Sequence, residues 1–355
     1  MSVASRKRGA LSADLLAVIL RRAVKLVWWT LTLQLPSKYR QRKEWRAAQS
    51  QIRPPQNDHA LAVPFSWAAA ASPPAPSLAV ICHMFFDEMA GEFREYLSNI
   101  PFPADLILTT DTEAKKANIE RAFATWSPGS VEVRVCLNRG RDIAPKLIAC
   151  ADVYDRYEYV LHLHTKRSPH GPQLAGWRNY LLDTLVGSPA TVASVFAVFK
   201  AMPDVGIIAP QHFEGIRPVL GWGFNYTQAR ALSRRLGLDL DMNATMDFPS
   251  GSMFWARSAA LAPILRLGLS CDEFPIERHQ TDGTLAHAIE RMYFHVCEAA
   301  GYHWLKIAQP GLLRETRHRA VDVGAPDELP GVVLDHRVRL LKDAVHRASR
   351  LPRAA

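Results

Sequence analysis

Three basic side chains, His162, His164 and Lys166, occupy alternate positions in "YEYVLHLHTKRS" (157–168), so a strand there carries all three on one face. Lys166 and Arg167 come just where the apolar run ends and the strand meets solvent. Cations at a strand end suit an anionic ligand. A protonated Lys166, helped by Arg167 or a charged His164, would supply about 4 kcal/mol for one contact pair at an effective dielectric near 20. The alternative is metal ligation by His162 and His164, but two histidines with no third carboxylate or cysteine nearby make a poor site. His162 is read as part of a polar strand end rather than as a functional residue.

Further candidates lie on either side of this strand. In "NRGRDIAP" (138–145), Gly140 permits a tight turn and Asn138, Arg139 and Arg141 can approach phosphate. Asp142 there is open to two readings, a ribose contact or the cap of the next helix. Asp111, in "TTDTE", either touches a nucleotide or shares capping of a helix with Thr112. "PSGSMFWARS" (249–258) sets Gly251 and Ser252 where backbone can approach a ligand, with Trp255 either stacking on a sugar or packed in the core. Trp222 in "GWGFN" has the same two readings, and Asn225 could bond a hydroxyl. Glu277 and Asp282 are carboxylates just before a long apolar-faced stretch; Asp282 there is either a proton acceptor or a helix N-cap.

These residues need elements to hold them. Strands are expected at 78–82, 105–110, 131–137, 157–164 and 205–210, with "GSMFWAR" (251–257) marking a further segment. Met89, Phe93 and Leu97 at spacing four mark a helical face between the first two strands; helices are also expected at 112–126, 143–155, 173–200, 227–236 and from 281. In the last, Leu285, Ile289, Met292 and Val296 form the apolar face. Repeated strand–helix–strand units imply an α/β fold with a mostly parallel sheet flanked by helices. Ligands in such sheets bind beyond the carboxyl ends of the strands, so 109–111, 138–142 and 164–168 should converge on one crevice.

The segments "NRGRDIAP", "LHLHTKRS", "PSGSMFWARS" and "ERHQTDGTLAHAIER" (277–291), in that order, resemble the rhamnan synthesis protein F family of bacterial polysaccharide glycosyltransferases over residues 78–305. The resemblance implies a GT-A-like nucleotide-sugar fold and transfer of a deoxyhexose, typically L-rhamnose, from a nucleotide diphosphate such as dTDP-L-rhamnose. The acceptor it implies is a growing, lipid-linked surface glycan. Asp282 occupies the place of the acidic base in the GT-A order, and Lys166 stands where the metal-binding Asp-x-Asp would be. The missing acidic pair favours metal-independent transfer, with a divalent cation as the alternative. It also raises a rival reading, a carbohydrate-binding or scaffold subunit on a degenerate transferase fold. A zinc hydrolase built on the histidines ranks last.

The net charge of +9 is unevenly placed: residues 1–55 hold twelve Lys or Arg against Asp14 and Glu44, and the other 300 balance 31 basic against 32 acidic residues. A near-neutral body argues against a nucleic-acid-binding surface. Residues 1–50, with Trp28 and Trp29 among interspersed cations, read as a basic amphipathic arm for an anionic membrane surface, the rival being a helix packed on its own domain. Asp14 within the apolar stretch and the missing cleavage pattern disfavour secretion, and 26–37 is too short to span a bilayer. A cytoplasmic protein peripheral to the inner face of the plasma membrane is therefore expected. A Pro/Ala-rich linker at 51–76, a transferase domain at 77–310 and a basic extension at 311–355 complete the expected layout. The five cysteines have no close pairing and are read as small buried hydrophobes.

Overall fold

The computed structural model describes residues 58–68, 76–167, 174–242, 244–278, 280, 282–313 and 319–333, with 20, 23–30, 36, 39, 40 and 43 near the N-terminus. The chain divides into two compact units, Met1–Ala47 and Ala48–Ala355. In the first, residues 23–30 are helical and Val24, Leu26, Val27 and Trp28 are exposed. Most of the expected arm, including Arg21 and Arg22, lies outside the described residues, as do 51–57, 69–75 and 334–355.

The second unit is built on a sheet of nine strands among the described residues: β1 His59–Ala62, β2 Leu78–His83, β3 Asp105–Thr110, β4 Val131–Val135, β5 Tyr159–His164, β6 Val205–Pro210, β7 Phe254–Arg257, β8 His303–Ala308 and β9 Arg319–Val321. Their order is β4-β3-β2-β5-β7-β6-β8-β1-β9. Neighbours are parallel except at β7, which runs antiparallel to both β5 and β6. β2 and β6 are buried along their whole length, and so read as continuous apolar runs covered on both faces.

The flanking helices are α1 Ala90–Leu97, α2 Glu113–Phe123, α3 Trp177–Val186, α4 Pro189–Ala201, α5 Tyr226–Arg235 and α6 Leu285–Ala299. Phe93 and Leu97 give α1 its buried stripe, and Ile289, Met292 and Val296 do so for α6. Thr112 caps α2 by accepting from Lys115 N (3.3 Å), so the cap is Thr112 and not Asp111. The helices expected within 173–200 are two, divided where Ser188 accepts from Thr191 N (3.1 Å) and Pro189 starts the second. The stretch at 143–155 is irregular, with a π-helical turn at Pro145–Ala149 and a single α-turn at Val153–Arg156.

Two expected boundaries are corrected. The linker at 51–76 contributes β1, and the extension beyond 310 contributes β9, which pairs with β1. Both were missed for the same reason: strands of four and three residues need a distant partner to be stable, and β1 lies between β8 and β9. Asp58, just before β1, fixes this edge. Burial would raise its carboxyl, yet Lys306 and Arg217 hold it down at about 2. Lys306 bonds both Asp58 and Asp247 (2.8 Å to the latter), Asp247 accepts from His212 Nε2 (2.8 Å), and His212 Nδ1 meets Ser250 Oγ (2.9 Å). This buried chain of polar groups runs from the β1/β8 edge to the loop before β7. Among the described residues no single helix is long and apolar enough to cross a membrane.

Candidate functional site

From β2 the chain steps outward to β3 and β4, then returns to place β5 on the other side of β2. The strand order therefore reverses between β2 and β5, and the space beyond their carboxyl ends is the natural ligand crevice. His83 and His164 are register partners there. His83 Nδ1 shares a hydrogen bond with Thr109 Oγ1 (2.9 Å), and Thr165 N donates to His83 O (2.9 Å). Because β7 runs the opposite way, its leading residues Gly251 and Ser252 reach the same rim. His164 Nε2 donates to Gly251 O (2.8 Å), and Lys146 Nζ donates to Asp142 (2.8 Å) and to Ser252 O (2.9 Å).

The two turns feeding this cluster each hold consecutive residues at positive φ: Gly140 (67°) with Arg141 (56°), and Gly251 (91°) with Ser252 (58°). A non-glycine residue in that region costs about 1–3 kcal/mol, and such positions gather at functional sites. A side chain at Gly251 would also meet Leu181 Cδ1 at 2.7 Å, so that side chain of α3 would have to shift to admit it.

Lys146 is wholly buried and Asp142 nearly so. Burial alone would raise the Asp142 carboxyl, but the His164 ring and the Lys146 ammonium hold it well below the usual carboxylate range. Burial lowers His83 to about 4 and His164 to about 3, Asp142 opposing the shift in each case, so both rings are neutral at pH 7. A charged His164 at the strand end is thus corrected: the ring is desolvated and spends its Nε2 proton on backbone. Burial also lowers Lys166, against the pull of Glu290 and Asp142. Its ammonium sits 3.8 Å from the centroid of the Trp177 ring, a cation–π seat. His162, expected at a polar strand end, is instead fully buried and packed on Phe254 and Tyr154.

The far side of the crevice is the start of α6. Asp282 does not cap that helix; the N-cap residue is Thr284, whose Oγ1 meets His287 Nδ1 at 2.7 Å. Instead Asp282 accepts from Phe224 N (3.0 Å) and Asn225 Nδ2 (2.5 Å) and lies 3.6 Å from Arg291. Asn225, fully buried, also donates to Trp222 O (2.9 Å) and accepts from Gly283 N (2.9 Å). Arg141 donates to Gln280 O (2.7 Å) and lies 3.8 Å from Glu277. Glu290, one turn further along α6, accepts from Gly251 N (2.8 Å).

The crevice thus brings together Asp142, His164, Gly251, Ser252, Arg141 and Lys166 from three separate segments. Asp111 stands at its edge, paired with Lys115 at 2.6 Å, and Asn138 is exposed. Arg139 turns away to Asp272 (2.9 Å) and its backbone bridges Ile276, so it is a surface pair and not a phosphate ligand here. Trp255 and Trp222 are corrected as sugar platforms. Trp255 is fully buried within the sheet, donating to Leu185 O (3.2 Å), and Trp222 packs on Tyr226 and His295. Asn225 is corrected too, since its side-chain amide is consumed inside the fold. Sequence reasoning missed His83, Lys146, Trp177, His287, Glu290 and Arg291. Lys146 was detectable as the residue four after Asp142, a spacing that pairs side chains on a helical turn. Among the described residues no three His, Cys, Asp or Glu side chains gather as metal ligands.

The model of the family described as rhamnan synthesis protein F matches residues 55–302. Two proteins designated "Uncharacterized protein WxcX", from two strains of Xanthomonas campestris pv. campestris, are each 37% identical over 224 residues. That alignment takes in 61% of this chain and 31% of theirs, so the chain spans under a third of the length of the curated relatives it matches. A crystal structure of 4-diphosphocytidyl-2C-methyl-D-erythritol synthase is similar over 77% of this chain and 100% of its own, at 13% identity and a TM-score of 0.32, a likeness too slight to carry an argument. The match over residues 55–302 covers more than half of the chain, which accordingly belongs to the rhamnan synthesis protein F family.

Proposed function

We propose that this chain is a glycosyltransferase of surface-polysaccharide synthesis, taking a nucleotide-activated deoxyhexose in the crevice between β2 and β5. dTDP-L-rhamnose is the first candidate donor and a lipid-linked glycan the acceptor, with inversion at the transferred carbon and the basic N-terminal arm resting on an anionic membrane. One observation carries the reading. Sequence segments 39 to 139 residues apart meet in direct contact at the strand-order reversal: Lys146 with Ser252 O, His164 with Gly251 O, Arg141 with Gln280 O and Glu290 with Gly251 N. Such convergence at the carboxyl ends of parallel strands is what a ligand site in this architecture requires.

Lys166 and Arg141 stand at the mouth of the crevice as the cations available to a diphosphate. The acceptor hydroxyl must lose a proton as it attacks, and a carboxylate on the α6 side would take it. No step is assigned to a metal: of the carboxylates on the strand side of the crevice, Asp142 is paired with Lys146 and Asp111 with Lys115.

A thermal-shift screen of nucleotide sugars tests the reading, since a ligand of the folded state raises its apparent stability. The expected result is a response to dTDP-sugars, turnover that survives a chelator of divalent ions, and loss of turnover in Lys166→Ala with the melting temperature kept. A chain that binds these donors without ever transferring the sugar would support the carbohydrate-binding alternative, and activity abolished by chelator would remove the cationic account. Sedimentation with anionic vesicles, with and without residues 1–50, tests the arm, each surface cation contributing about 1 kcal/mol at low screening. Equal binding by both forms would rule the arm out as the attachment.

A further inference from the structure

A hydroxyl-proton acceptor needs a carboxylate oxygen that is open to substrate and unpaired with a cation. The carboxylates around the crevice differ sharply on that test. Asp142 is locked to the buried Lys146, and Asp111 to Lys115. Asp282, the candidate by position, has both oxygens engaged, one by Phe224 N and the other by Asn225 Nδ2, with Arg291 beside them. Glu277 has the Arg141 guanidinium at 3.8 Å.

Glu290 is different. One of its oxygens accepts from Gly251 N at 2.8 Å, which fixes the carboxylate against the turn at the rim. Among the described residues its other oxygen has no hydrogen-bond partner and no cation stands within 4 Å of the group, Lys166 acting on it only from further off. Gly251 also takes the His164 Nε2 proton on its carbonyl, so Glu290 and His164 are both held to this one residue, through its N–H and its C=O. On α6, Glu290 shares a face with His287, three residues before it, and stands next to Arg291. His287 Nε2 is buried and has no hydrogen-bond partner among the described residues.

We propose that Glu290, and not Asp282, accepts the proton of the attacking hydroxyl, an assignment that rests on the glycosyltransferase reading. The acceptor oxygen bonds to the anomeric carbon as the bond from that carbon to the diphosphate oxygen breaks. The electron pair leaves with the diphosphate, and the hydroxyl proton passes to the open oxygen of Glu290. Gly251 N holds the other oxygen, so the carboxylate is oriented before substrate arrives. Asp282 acts as a brace between α6 and the 222–225 loop.

Full-length chains carrying Glu290→Gln or Asp282→Asn would be compared, using dTDP-L-rhamnose as donor probe and a synthetic alkyl rhamnoside as acceptor. Glu290→Gln keeps an oxygen for Gly251 N, so its melting temperature and donor affinity should stay near wild type while transfer falls about a hundredfold or more. Asp282→Asn should lower the melting temperature and leave transfer by the folded fraction within about threefold. Should Glu290→Gln prove unstable, added formate ought to restore transfer to Glu290→Ala, because a small carboxylate can stand in for a lost proton acceptor but not for a lost structural contact. Active wild type together with near-normal Glu290→Gln overturns the assignment alone. A wild-type chain that binds and transfers no nucleotide sugar overturns the transferase reading, and the role of Glu290 with it.

Discussion

His83, His164 and His287 are residues whose protonation the fold resists. Burial holds them at about 4, about 3 and about 4, against an ordinary value of 6.5. The unfolded chain therefore binds protons more readily between pH 6.5 and 4 than the folded one. Stability should be full above pH 6.5 and fall as pH drops towards 4, by roughly 1.4 kcal/mol per pH unit for each histidine fully protonated only when unfolded. Asp142 adds nothing to this window, because its carboxyl lies below the ordinary range and that contribution persists until more acid conditions. Melting temperatures measured from pH 7.5 to 5 check the expectation, and His83→Gln should flatten the profile; a flat wild-type curve would mean that the rings are hydrated. His164 was visible in the sequence, by alternation with His162 and Lys166. His83 was not, since it reads as the end of an apolar strand until its neighbour is known to be His164.

At the scale of elements, α6 is seated by contacts that its own sequence does not reveal. The apolar spacing shows which face packs, but the register of its N-terminus is set by Asn225, 58 residues away in sequence from Gly283, to which it is bonded. Asn225→Ala removes the bonds to Trp222 O, Asp282 and Gly283 N and strands buried partners, an expected loss of about 2–3 kcal/mol in denaturant unfolding. An unchanged midpoint would mean that water replaces the amide. β2, β3, β5 and β6 were legible because each is a long apolar run between turn residues. β1, β8 and β9 were not, because β1 and β9 are too short to carry a pattern and β8, "HWLKIA", mixes Lys306 and His303 into its run. Lys306 is tolerable there only as the partner of Asp58 and Asp247, a pairing that spans nearly the whole sheet-forming chain. The crevice itself was readable in outline from strand ends. What the strand ends left open, whether Trp255 and Trp222 stack on a sugar or pack, is decided by burial: both are enclosed in the core.

For the molecule as a whole, the family match stops at residue 302, one residue before β8 begins. A fragment of residues 55–302 would keep every crevice residue yet lose the strand between β6 and β1. It would leave β6 with an open edge, β1 without either neighbour, and Asp58 and Asp247 without Lys306. An uncompensated buried charge alone costs about 3–5 kcal/mol, so that fragment should be insoluble or lack a cooperative melt, while 55–333 should melt cooperatively. Circular dichroism on the two decides it, and a well-folded 55–302 would show that this edge is dispensable. The same arrangement orders events on the ribosome. His59–Ala62 leaves the exit tunnel early but has nothing to pair with until Ile307 and then Ala320 follow, so the nascent chain must carry an unpaired strand for roughly a dozen seconds or more at ordinary synthesis rates. Substitutions that make that waiting strand more apolar would therefore be felt first as lost yield during synthesis, before any change in the stability of the finished protein.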